Sequence, residues 1–280
     1  MEIIRGKYGN EVKVYANTIE EDELYKINIM NPNMAYIIGL LQTDGSYYCQ
    51  SRNRGRICIE LKIGDIDILY KIKKILNCNS DVKKRTRDTN FSKNYTSCSF
   101  SIFSINIRKE LSKYIPVGRK SEIVCMPYGI SEVDYWRGII DGDGSLGLTK
   151  NNIPFISLTT KSENMANSYR NFVERSTNYR IKSERNDRDK IYNLMLTKEK
   201  AQIIINLLYY KGCLCLNRKF KSSIDAKKWV RPQTMKMKTW NVKKWTKNED
   251  EFILNHELSE SIKYLNRTKK SIQTRLYRLK

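Results

Sequence analysis

Apolar residues run almost unbroken from Ala35 to Leu41 and again from Tyr135 to Ile140, each for about two helical turns. Both runs open on a helix-start signal. Asn31 precedes Pro32, a residue suited to the first helical position, and Ser131 stands three residues before Asp134 in a capping-box-like pair. Behind each run the periodicity switches. Ser46–Gln50 and Arg56–Ile63 read as strands, with Ile57-Cys58-Ile59-Glu60-Leu61-Lys62 dividing its side chains between two faces. Ile66, Leu69, Ile72 and Leu76 recur at helical spacing over 65–76, strands follow near 81–88 and 96–105, and a helix is predicted over 106–114. The second run is followed by predicted strands near 145–150 and 154–160, a helix over 163–174, strands near 179–185 and 191–196, and a helix over 198–209 ending at Gly212. The same order, helix, two strands, helix, two strands, helix, thus occurs twice.

This pattern predicts an α+β fold built from duplicated αββαββα units, each led by a helix able to pack on its counterpart in a pseudo-two-fold pair. The predicted units are repeat 1 at 31–115 and repeat 2 at 131–228, joined by a linker at 116–130 whose breakers are Pro116, Gly118, Pro127 and Gly129. An N-terminal extension, 1–30, holds a strand-like Val12–Tyr15 and the acidic run Glu20-Glu21-Asp22-Glu23. That run reads as a helix start in preference to a metal cluster. Residues 229–244 are a basic linker, and 245–280 form a small all-α module of three helices.

Composition narrows the chemistry. Lys and Arg number 52 against 30 Asp and Glu, a formal net charge of +22, which points to a polyphosphate partner. The apolar runs are too short to span a bilayer, and the first residues lack a signal peptide's core, so a soluble intracellular protein is expected, in a phage or bacterial cytoplasm or an organelle matrix. Seven scattered cysteines argue against a disulfide framework or a structural zinc site, and Cys213-x-Cys215 reads as two core thiols. With His256 as the only histidine, phosphodiester chemistry would have to rest on carboxylates, a divalent metal and water.

The two apolar runs share more than length. Each has a glycine five residues before an aspartate, Gly39 before Asp44 and Gly138 before Asp143, and each ends Asp-Gly-Ser, where the glycine is expected to take a positive φ and stop the helix. Two such helices, packed through their small residues, would bring Asp44 and Asp143 together at a two-fold metal site. Ile37–Gly45 and Trp136–Gly144 resemble the LAGLIDADG motif, and the chain over about 31–228 resembles the single-chain, two-repeat LAGLIDADG homing endonucleases. Motif one departs from the pattern with Ile38, Gln42 and Thr43, and motif two with Arg137.

The resemblance implies four-stranded antiparallel sheets, each forming half of a saddle over DNA around a two-helix pseudo-two-fold interface, and a monomer acting as a pseudo-dimer. It implies a site-specific double-strand break across the minor groove with short 3′ overhangs. Asp44 and Asp143, with the carbonyls of Thr43 and Gly142, would bind two or more Mg²⁺ ions, which Mn²⁺ would replace, while Ca²⁺ would support binding without cutting. Lys198 is a candidate to polarise water or steady the scissile phosphate, with a plain surface lysine as the alternative. Gly39 and Gly138 would be the helix contact. Double-stranded DNA is the expected partner, its own intron RNA a further one, and no membrane is involved; an RNA maturase and a catalytically silent DNA-binding regulator are the rival readings.

Candidate DNA contacts are Arg52, Arg54 and Arg56 at one hairpin, Lys62, and Lys83, Lys84, Arg85 and Arg87 along another strand. Lys182, Arg185, Arg188 and Lys190 are expected in the matching places of repeat 2. Trp245-Thr246-Lys247-Asn248-Glu249-Asp250 resembles the opening of a Myb/SANT-type helix-turn-helix. In that setting Thr246 and Glu249 form a capping box, Thr268 caps the third helix, and Lys269, Lys270, Arg275 and Arg278 face DNA.

Overall fold

In the computed structural model the described residues are 2–5, 11–14, 26–90, 92–235 and 245–279. They fall into two compact units, Met1–Arg231 and Pro232–Lys280. The acidic run 20–23 and most of the basic linker lie outside the described residues.

The first unit begins with a hairpin of β1 (Glu2–Arg5) and β2 (Glu11–Val14). Helix α1 (Pro32–Thr43) starts as expected, with the Asn31 side chain accepting from the Asn33 and Met34 amides. It runs straight into β3 (Gly45–Cys49), followed by β4 (Gly55–Lys62), helix α2 (Ile66–Ile75), β5 (Lys83–Thr89), β6 (Ser92–Ile102) and helix α3 (Ile105–Leu111). The four strands pair antiparallel in the order β3-β4-β6-β5. Ile57, Ile59, Leu61, Phe100 and Ile102 turn inward to the core, so one face is apolar and the other polar.

The second repeat opens with α4 (Glu132–Asp143), which passes into β7 (Gly144–Leu148), then β8 (Pro154–Thr160), α5 (Glu163–Thr177), β9 (Tyr192–Thr197), α6 (Lys198–Leu208) and α7 (Asn217–Lys227). The fold class is the mixed α+β one expected, with antiparallel sheets. Two local expectations are corrected. Repeat 2 has a three-stranded sheet, β7-β8-β9, and the run 179–185 forms no strand beyond a single Arg185–Tyr192 bridge. The backbone groups that a ladder would use are taken: the Ser183 hydroxyl donates to the Asn193 carbonyl, and Arg170 donates to the Ser183 carbonyl. The start of α4 is not a capping box either. The Ser131 hydroxyl donates to the Asp134 carboxylate at 2.6 Å, and that carboxylate also receives Arg137 and Tyr210.

Helices α1 and α4 cross in direct backbone contact. A Cβ on Gly39 would stand 2.5 Å from the Tyr135 carbonyl oxygen, and one on Gly138 would meet the Tyr36 carbonyl oxygen closer still. One turn on, a Cβ on Gly142 would run into the Thr43 side chain, so the bulk of Thr43 is accommodated by the glycine opposite. Gly45 and Gly144 are needed for a different reason from the one expected. Neither takes a positive φ; instead each lies against the preceding helical turn, where a Cβ would be 2.5 Å from the Leu41 carbonyl oxygen or 2.8 Å from the Ile140 Cα. The chain can leave helix for strand without a connecting loop only because those positions lack a side chain.

The second unit has α8 (Lys247–Asn255), α9 (Leu258–Leu265) and α10 (Lys269–Leu279) around a small core of Ile253, Leu265 and Ile272. Thr246 and Glu249 make the full capping box, and the Thr268 hydroxyl accepts from the Ser271 amide. Trp245 is held under the Arg267 guanidinium, 4.0 Å from ring centroid to Cζ.

The glycine contacts lead to a stability prediction. Gly39→Ala and Gly138→Ala should each cost about 1–3 kcal/mol, the usual penalty of overpacking a close contact. Gly64→Ala, where an added Cβ meets nothing within 4 Å, serves as the control. Urea denaturation of the three variants beside the parent checks this.

Candidate active site

The ends of α1 and α4 carry the site. Asp44 is the C-terminal cap of α1, its amide donating to Leu40 O, and Asp143 is the last residue of α4. A helix C-terminus presents carbonyl oxygens without amide partners and a partial negative charge, so two such ends, each with a carboxylate, attract cations.

Two cations of the chain itself are already there. The Lys120 ammonium donates to Leu41 O at 2.6 Å and to Gly45 O, capping α1. Lys219 does the same for α4, donating to Gly144 O at 2.7 Å and to Ile140 O. Lys120 and Lys219 stand 99 positions apart, the spacing of Asp44 and Asp143, of Leu41 and Ile140, and of Gly45 and Gly144. Neither lysine was expected from the motifs, since one lies in the stretch read as a linker and the other in α7. Their shared spacing is the signal that finds them.

The electrostatics couple all four groups. Desolvation, then the neighbouring Asp143, push the Asp44 carboxyl up to about 6, against the pull of Lys219, Lys120 and Arg218. Desolvation also raises Asp143, opposed first by Lys120 and then by Lys219. Burial lowers both ammonium groups to about 8, partly countered by Asp143 and Asp44 for Lys120 and chiefly by Asp141 for Lys219. Each of the two carboxylates therefore feels most strongly the lysine that caps the other helix. Arg218, beside Lys219, is anchored by Asp65 at 2.9 Å, tying α7 of repeat 2 to the start of α2 in repeat 1.

Behind the carboxylates, each motif helix sends a tyrosine to its partner. Tyr36 donates to Asp141 at 2.8 Å, and Tyr135 donates to Gln42 at 2.6 Å. Positions 42 and 141 are equivalent but need opposite chemistry. Gln42 must serve two carbonyls, donating to Tyr114 O at 2.8 Å and Cys125 O at 3.1 Å, which a carboxylate cannot do. Asp141 meets only donors: Tyr36, Tyr209 and the Leu216 amide. The Gln42 departure thus belongs to the support of the helix pair. Arg137 is fully buried, donating to the carbonyls of Leu208 and Leu214 and paired with Asp134.

The structure does not bring Lys198 to this cluster. It heads α6, where its charge helps lower the Glu199 carboxyl, and it is not among the residues lining the cavity that holds Lys120 and Asp143. The carbonyls of Thr43 and Gly142 belong to residues adjoining the aspartates, and the Thr43 side chain lines a cavity of about 230 Å³ with Lys120 and Asp143. As a donor set for a cation, two partly desolvated carboxylates with helix-end carbonyls fit a hard divalent ion such as Mg²⁺, whose charge would hold both ionised.

Of the expected DNA contacts, Arg52 and Arg54 are exposed at the β3–β4 tip. Arg56 and Lys62 on β4, with Lys83, Arg85 and Arg87 on β5, share the polar face of sheet one, and Arg87 pairs with Glu60 at 3.0 Å. Lys84 alternates to the opposite face. Lys182, Arg185, Arg188 and Lys190 are exposed, but in the irregular run before β9. In the second unit Lys269, Lys270 and Arg278 are exposed on α10. Arg275 instead makes two hydrogen bonds to Asp250, at 2.7 and 2.6 Å, and is a tie between α8 and α10.

Residues 131–207 match the family model described as LAGLIDADG-like domain, a stretch that runs from the cap of α4 to near the end of α6. Among solved structures the chain is similar to the meganuclease I-SmaMI bound to uncleaveable DNA, at 12% identity over 71% of this chain and 90% of that one, TM-score 0.45. It is similar to the LAGLIDADG homing endonuclease I-GzeII in complex with its DNA target, at 14% identity over 71% and 89%, TM-score 0.47. It is also similar to the homing endonuclease I-WcaI bound to its DNA recognition sequence, at 11% identity over 72% and 88%, TM-score 0.48. No helix among the described residues is long and apolar enough to cross a membrane.

The raised Asp44 value carries a sign. An acid that is weaker in the folded state than its ordinary 3.8 favours folding most below that value, and the contribution is lost as pH rises through about 6. In divalent-free buffer the Asp44 carboxyl should titrate near pH 6 by carbon-13 NMR. Asp143→Asn should move the midpoint down by removing the like charge, and an unmoved midpoint would uncouple the two groups.

Proposed function

We propose that this chain is a monomeric, site-specific DNA endonuclease of the LAGLIDADG homing type, cutting both strands of a long duplex target and leaving short 3′ overhangs. The observation that carries this reading is the pseudo-two-fold pairing of Asp44 with Asp143 at the abutting ends of α1 and α4, each helix end capped by a lysine. Duplication of the carboxylate matches a duplex, whose two strands present two scissile phosphates related by a local two-fold axis. The net charge of +22 supplies the sequence-independent attraction to that duplex.

Asp44 and Asp143 would hold divalent cations, Mg²⁺ by their hard oxygen chemistry, with the carbonyls of Thr43 and Gly142 as further ligands. Such ions, when bound, lend positive charge to a phosphate and make water a stronger acid. Lys120 and Lys219, brought to about 8, exchange protons near neutral pH and so suit a role at the water or at the leaving oxygen. Gly39, Gly138 and Gly142 set how closely the two carboxylates approach. The second unit adds duplex contacts of its own through Lys269, Lys270 and Arg278 on α10.

The deciding experiment is Mg²⁺-dependent cleavage of DNA from a related genome that lacks this gene. Wild type should give discrete breaks, whereas Asp44→Asn and Asp143→Asn should each lose double-strand cutting by about a thousand-fold, the rate equivalent of several kcal/mol of metal-borne stabilisation. Both should still bind in Ca²⁺, and retained cutting by either would remove the carboxylates from the chemistry. Truncation to 1–235 should shorten the footprint and weaken binding; an unchanged footprint would take the second unit off the DNA.

A further inference from the structure

The first three strands of the two sheets share one pairing register. Strands β4 and β8 begin 99 positions apart, at Gly55 and Pro154, and pair with their hairpin partners in the same register: Gly45 lies opposite Ile59, and Gly144 opposite Leu158. Outward-facing residues on β4 are Arg56, Cys58, Glu60 and Lys62; the equivalents of the first three on β8 are Phe155, Ser157 and Thr159, and Lys62 matches Lys161 just past the end of β8. On the next strand Ser99 and Ser101 of β6 correspond to Asn193 and Met195 of β9.

Chemically the faces have parted. Face one carries Arg56, Glu60, Lys83 and Arg85 around a shallow cavity of about 460 Å³ floored by serines. Arg56, Lys83 and Arg85 have no ion-pair partner among the described residues. Among the described residues the strands of face two carry no outward charged side chain, Lys161 standing just past the end of β8, and the most prominent apolar group is Met195, 45% exposed, paired across the sheet with Ser157. Strand β5, which brings Lys83 and Arg85 to face one, has no counterpart in sheet two.

In the major groove these side-chain sets select different bases. Arginine and lysine reach guanine O6 and N7, and glutamate accepts from cytosine N4. Apolar groups pack on the thymine methyl, and asparagine bonds adenine. We infer that the two half-sites differ in kind. Sheet one reads a G·C-containing half-site by charged hydrogen bonding. Sheet two reads an A·T-rich half-site through thymine methyls on Met195 and Phe155 and an adenine edge on Asn193.

This rests on the endonuclease reading above. DNA is the occupant argued for face two because that face begins at Ser145, two residues beyond Asp143, and continues the carboxylate site. Exposed cations follow its strands in sequence, Lys150 after β7 and Lys182, Arg188 and Lys190 before β9, with Arg188 and Lys190 paired to Asp189 and Asp187; Lys150 and Lys182 are suited to phosphate contacts.

The test is selection of binding sequences from randomised duplexes by the full chain in Ca²⁺. The expected target has unlike halves, with Arg85→Ala relaxing base preference only in the G·C half and Met195→Ala only in the A·T half. With wild-type protein, replacing thymine by deoxyuridine in the A·T half should weaken binding roughly four-fold per contacted methyl, the equivalent of one buried CH₂ group. The same replacement in the other half should change nothing. An enriched target with two similar halves, or indifference to deoxyuridine, overturns this inference and leaves the endonuclease reading intact. A pool in which no sequence is enriched overturns both.

Discussion

Everything in the first unit depends on two helix backbones touching. Where Gly39 faces Tyr135 and Gly138 faces Tyr36, there is no room for a methyl group, and that closeness fixes where the helix ends fall. The carboxylates stand at those ends, the lysines cap them, and each sheet starts where its helix stops. Packing this tight tolerates little relaxation, so small errors at the crossing are passed on to the chemistry.

The contact also has an electrostatic cost. Two carboxylates and two partly buried ammonium groups share one region, the acids held weaker and the bases less basic than in water. An added cation would relieve the repulsion between the two acids in such an arrangement. The supporting layer is not symmetric. Gln42 faces carbonyls and Asp141 faces donors, so each repeat has adapted its own side of the pair to what surrounds it.

Helices α1 and α4 and their terminal aspartates were legible because the signal is local: a cap, two apolar turns, a small residue and an acidic end. Lys120 and Lys219 were not, because they come from stretches with no motif and reach the site only through the folded chain. The absent strand at 179–185 was misleading for a physical reason. Its alternation suits a strand, but Arg170 and the Ser183 hydroxyl intercept the backbone bonds that would have made one. Arg275 likewise looked like a surface base until Asp250, 25 positions earlier, was seen to hold it.

Lys120 lies between the repeats in sequence yet caps α1 and acts most strongly on Asp143 of α4. Arg218 of the second repeat closes the converse link to Asp65 of the first. The halves are therefore not interchangeable cassettes. A chimera that joined this first repeat to a foreign second one would have to carry residues 116–130 with it, and would still lose the α7 strap, so changes confined to the outward sheet faces disturb the helix pair less than an exchange of whole repeats.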